Sequence, residues 1–95
     1  MHKYELTVVI SSKVDDDVRT ATIEQIKELI ARFGGTVLNV DDWGKRRLAY
    51  EIQKMKEAYY YFITFEGDST LPNEMEQRVR IMENVIRYLI VRQDA

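Results

Sequence analysis

The sequence has no cysteine, which excludes disulfide staples and thiolate metal sites and suits a reducing compartment. Its one histidine is His2, at a terminus where a general base or metal ligand would have no packed support, so it reads as plain surface. Glycine occurs four times and proline once. Neither a phosphate-cradling glycine loop nor a G-x-S-x-G nucleophile elbow can be found. Apolar runs are short, well below the roughly 20 residues that cross a bilayer. The opening Met1-His2-Lys3-Tyr4-Glu5 enters an alternating pattern without the apolar core of a secretion signal. These absences lead to the expectation of a cytoplasmic protein that is not an enzyme and needs no metal, no cofactor and no small-molecule substrate. Asp41-Asp42 is a pair of acids in a turn beside cations, where solvation explains them better than acid–base chemistry.

What remains is enough for one packed body. Ninety-five residues, 45% hydrophobic and 32% charged, fit a soluble globule, and splitting them would leave two cores too small to offset chain entropy. A single domain over residues 1–95 is therefore expected. Leu6, Val8 and Ile10 alternate with Glu5 and Thr7, a period of two that predicts a strand over residues 3–10, with Val9 the one apolar residue on the polar side. Asp15-Asp16-Asp17 supplies N-cap candidates and negative charge for a helix start. Val18, Ile23, Ile26, Ile30 and Phe33 then keep helical spacing until Gly34-Gly35, where a left-handed residue can end the helix.

A second strand is predicted to begin at residues 36–40 and resume at 48–52, with Leu48, Tyr50 and Ile52 on one face. The interruption at 41–47 reads as either a bulge or a bend around Gly44. Residues 58–66 form an aromatic third strand, with Tyr59, Tyr61, Ile63 and Phe65 on one face and Tyr60, Phe62 and Thr64 on the other. The connection at 53–57 has hairpin length. Ser69 or Thr70 is the expected cap of a second helix, with Pro72 near its start and Leu71, Met75, Val79 and Met82 along one side. Residues 85–92 read as the last strand.

The order βαββαβ implies an α+β fold of the ferredoxin-like kind. It is a four-stranded antiparallel sheet in the order 4-1-3-2 with both helices on one face. Leu6, Val8, Ile10, Ile63, Phe65, Tyr88 and Ile90 should meet the helices. Glu5, Thr7, Tyr60, Phe62, Thr64 and Arg87 should lie on a face left open.

The net charge is −2, yet Lys45, Arg46, Arg47, Lys54 and Lys56 face only Glu51 between residues 45 and 56. Affinity for nucleic acid depends on such local clustering more than on the total. Three consecutive cations beside Trp43 read equally as a phosphate-contacting edge with an indole for stacking, or as a solvated strand edge with Trp43 in the core. Tyr60 and Phe62 suit a docked protein partner. They also echo the stacking aromatics of an RNA-recognition motif, although Ala58 and Tyr59 replace that motif's leading cation and glycine. A small-molecule regulatory domain of the same fold is a further reading.

The run Trp43-Gly44-Lys45-Arg46-Arg47-Leu48-Ala49-Tyr50-Glu51-Ile52 resembles the bacterial small-subunit ribosomal protein S-six family. Tyr4-Glu5 and Arg80-Ile81-Met82-Glu83-Asn84-Val85-Ile86-Arg87 extend the resemblance over nearly the whole chain. Glu51 stands where many members carry proline. The resemblance implies a ferredoxin-like fold and a non-catalytic role on the ribosome. That role is binding the central domain of small-subunit rRNA together with ribosomal protein S-eighteen. It implies RNA contact by Lys3, Arg46, Arg47, Arg80 and Arg87, with Lys45 and Arg92 beside them.

Overall fold

The computed structural model describes residues 1–52 and 54–93. In chain order the elements are β1 (His2–Ser11), α1 (Asp16–Arg32), β2 (Thr36–Ile52), β3 (Met55–Gly67), α2 (Leu71–Val79) and β4 (Val85–Arg92). The strands form one antiparallel sheet in the order β2-β3-β1-β4, the expected 4-1-3-2 read from the other edge. The ferredoxin-like arrangement is thus the observed one.

Local chemistry sets the helix ends. The Asp15 side chain accepts a hydrogen bond from the Val18 N–H at 3.1 Å, satisfying a donor that the first helical turn leaves unpaired. At the other end the Gly34 N–H bonds to the Ala31 carbonyl and the Gly35 N–H to the Ile30 carbonyl. Gly34 has φ +88°, so the chain leaves α1 through a left-handed residue in a Schellman turn. The start of α2 differs from expectation. Thr70 is the N-cap, but its side-chain oxygen accepts no hydrogen bond from the helix. Its hydroxyl and N–H instead both donate to the Asp68 carboxylate, at 2.6 and 3.0 Å. Pro72 in the first turn has no N–H for a capping oxygen to accept from.

The core lies between the helices and one sheet face. Leu6, Val8, Ile10, Ile63 and Phe65 are buried there against Ile23, Ile26 and Ile30 of α1 and Leu71, Met75 and Val79 of α2, with Tyr88 and Ile90 packed at its margin. Three features depart from the sequence reading. First, β2 runs without a break through residues 41–47. It absorbs the mismatch in bulges between Val37 and Asn39 and between Asp42 and Gly44, with Gly44 at φ +73°. Of the two readings of that stretch, the bulge is what forms. Second, α2 stops at Val79, and Met82 reaches the core margin from the following loop. Third, β3 begins at Met55, so the hairpin connection is shorter than 53–57. Lys54 turns it with φ 65°, and Gln53 lies outside the described residues.

The face away from the helices is not simply open. Val9, Leu48, Met55 and Ala58 are buried on it as a second apolar cluster, with Ile52, Tyr60 and Ile86 against them. Val9, the apolar exception on the polar side of β1, is 3% exposed. Its burial explains why the alternation breaks there.

Candidate nucleic-acid interface

The last β1–β3 pair is Ser11 with Ala58, whereas β2 and β3 continue pairing to Ile52 with Met55. The hairpin therefore extends past the end of β1 as an arm, and the second cluster seats the arm on the sheet. Lys45, Arg46 and Arg47 stand where the arm leaves the body, on β2, which is an edge strand. Successive strand residues point to opposite faces. Arg46, opposite Ala58, belongs to the face away from the helices. Lys45 and Arg47, opposite Tyr59 and Glu57, belong to the other. All three are exposed, so one rim of the sheet carries positive charge on both sides.

Aromatic rings hold several of these cations. Arg46 donates from Nε to the Trp43 carbonyl at 3.0 Å, with its guanidinium 5.3 Å from the Trp43 ring. Trp43 is not a core residue: it is 48% exposed. Its ring packs on Phe62 at 4.6 Å, and its indole N–H is donated to Asp41 at 2.9 Å. On the helix side, Lys45 Nζ lies 5.5 Å from the Tyr59 ring and the Arg19 guanidinium lies 3.8 Å from it. Arg19 also donates to the Tyr61 hydroxyl at 2.8 Å and to Asp16 at 2.7 Å. Burial opposes the charge on Arg19, but these two bonds outweigh it and raise its pKa. Burial pushes the Tyr61 phenol up, against the opposing pull of Arg19.

Across the sheet on β4, Arg87 is exposed and faces away from the helices opposite Val9. The Tyr50 side chain reaches it from the arm. Arg87 donates from Nη2 to the Tyr50 hydroxyl, and its guanidinium lies 4.9 Å from the Tyr50 ring. Among the described residues, Lys45, Arg46, Arg47 and Arg87 have no acidic partner; the ion pairs seen, Arg19–Asp16 and Lys27–Glu24, lie within α1.

The expected RNA-contacting residues are therefore not one cluster. Lys45, Arg46, Arg47 and Arg87 gather toward the arm. Arg80 follows α2 in the loop to β4. Lys3 pairs with Glu66 and Arg92 with Tyr4, at the other end of the sheet. Val9 lies six positions beyond Lys3, about 20 Å along a strand. Tyr60 and Phe62 do lie on the face away from the helices, but both are half-buried, Tyr60 in the second cluster and Phe62 under Trp43. Sequence reasoning passed over Tyr50 as a partner of Arg87. The sequence puts Tyr50 on one strand face with Leu48 and Ile52 but does not tie that face to the side of the sheet that carries Arg87.

A family model described as Ribosomal protein S6 matches residues 3–92. The chain belongs to that family. Small ribosomal subunit protein bS6 of Clostridium kluyveri is 44% identical over 94 residues, 99% of each chain. That of Clostridium botulinum strain 657 is 43% identical over 94 residues, 99% of this chain and all of the other. The crystal structure of 30S ribosomal protein S6 from Thermotoga maritima matches with a TM-score of 0.92 at 30% identity, covering 97% of this chain and 87% of that one. Membership of the ribosomal protein S6 family makes the chain a component of the ribosome, a cytoplasmic particle, in a class of structural proteins. No helix among the described residues is long and apolar enough to cross a membrane.

Proposed function

We propose that the protein is a structural, non-catalytic component of the small ribosomal subunit that binds the central domain of small-subunit rRNA together with ribosomal protein S-eighteen. The observation that carries this reading is a set of cations, Lys45, Arg46, Arg47 and Arg87, left without acidic partners on a chain of net charge −2. An intramolecular ion pair would cancel their attraction for phosphate; here it remains available. The relatives' names, which are those of small-subunit proteins, support the same reading. Arg80 extends the contact from the α2–β4 loop, while Lys3 and Arg92 make separate contacts at the far end of the sheet.

A net negative protein binds a polyanion weakly by itself. A basic partner seated on the face away from the helices, over Tyr60, Phe62 and the exposed Leu89 and Val91 of β4, would join its charge to that of the arm and make binding cooperative. RNA affinity measured with and without S-eighteen tests this. The expected result is markedly tighter binding with the partner present; equal affinities would remove the cooperative part. Co-purification of the tagged chain with small subunits tests the assignment to the particle.

A further inference from the structure

We infer that Tyr50 and Arg87 together form a subsite for one unpaired nucleotide of the bound RNA, the base stacking on the Tyr50 ring and the phosphate resting on Arg87. The inference rests on the RNA-binding reading above and narrows it to a place. Tyr50 is 58% exposed, an unusual cost for a ring that could have joined the second cluster beside Leu48 and Ile52. Arg87 meets it at one end. The hydroxyl accepts from Arg87 Nη2, and the guanidinium carbon sits 4.9 Å from the ring centroid, toward the hydroxyl end. Most of the ring is left facing solvent. Arg87 has only this neutral partner among the described residues, so its charge is oriented and not neutralised. A cation without an acidic partner beside an exposed ring is what a splayed nucleotide needs, because every base offers a π-face and carries its own phosphate.

The other exposed arginine–aromatic pair fits the task less well. Trp43 already packs on Phe62, and its indole N–H is taken by Asp41. Tyr60 and Phe62 are half-buried. A base within an RNA duplex cannot reach Tyr50, so the subsite selects a loop, bulge or junction nucleotide.

The test uses the full chain with S-eighteen and central-domain rRNA, comparing Tyr50→Leu, Tyr50→Phe and the double variant Arg46→Ala/Arg47→Ala. Because Tyr50 is exposed, Tyr50→Leu should melt with the native protein. It should weaken RNA binding roughly tenfold or more, since the stacking platform is gone, while Tyr50→Phe keeps the ring and stays within about threefold. Ultraviolet irradiation of the native complex should attach a nucleotide to Tyr50. If Tyr50→Leu binds RNA normally while Arg46→Ala/Arg47→Ala does not, the subsite is overturned and the broader function stands. If Tyr50→Leu weakens binding of S-eighteen in the absence of RNA, the ring is a protein contact and the subsite is equally overturned. Loss of RNA binding in none of the variants would remove both.

Discussion

Leu71 makes small residues necessary at two distant places in the chain. A β-carbon added to Gly35 would stand 2.5 Å from Leu71 Cδ2, 2.9 Å from Ile30 Cγ2 and 3.0 Å from the Glu66 carbonyl oxygen, and one added to Gly67 would stand 2.3 Å from Leu71 Cδ2. The turn after α1 and the turn before α2 close around one leucine that is 1% exposed. Gly35→Ala must move a backbone carbonyl as well as two side chains, so it should lower stability by about 1–3 kcal/mol in denaturant unfolding. Asp68 carries a second prediction at this scale. The Thr70 hydroxyl and N–H hold its carboxyl below the ordinary value of 3.8. A depressed carboxyl contributes stability that is full above the unfolded value and is lost as pH falls through the folded one. Asp68→Ala should therefore flatten part of the decline in melting temperature as pH falls from the ordinary value of 3.8 through the lower folded one. An unchanged acid limb would show that the Thr70 bonds do not form in solution.

The hairpin arm is the element that turns a sheet edge into a binding surface, and it was only half legible in the sequence. Alternation along most of β1 orients that strand, and βαββαβ chirality leaves one strand order, so the frame could be read directly. The basic run and its edge position were equally visible. What could not be read was the covering of the second face. Val9 was a lone apolar residue on a polar side, and Leu48 and Met55 lie 39 and 46 positions away from it, meeting it only because β2 and β3 overrun β1. Trp43 was undecidable for the same reason, since its place depends on a bulge whose residues are polar. The cap position of α2 was legible, since Thr70 is the N-cap, but its missing side-chain cap bond was not, and only geometry shows Asp68 accepting from Thr70. The arm makes its own prediction. Leu48→Ala should cost about 2–4 kcal/mol and speed amide exchange in residues 46–57 more than in the paired centre of β1 and β3. A uniform increase along the sheet would mean that the arm does not open separately.

At the scale of the whole molecule, a small acidic body keeps one projecting rim positive. Lys45, Arg46 and Arg47 on that rim, and Arg87 across the sheet on β4, meet an aromatic ring, a backbone carbonyl or solvent, and none of the four is spent on an acid among the described residues. Electrostatic binding of this kind works by releasing counterions from the RNA, so its signature is the dependence of affinity on salt. The decisive measurement is the slope of log affinity against log salt for central-domain rRNA with S-eighteen present. The native chain is compared with a variant carrying Arg46→Ala, Arg47→Ala and Arg87→Ala. The slope should fall in magnitude by about 0.7 to 0.9 for each phosphate that is no longer neutralised, roughly two to three in all. A variant with the native slope and affinity would contradict the account.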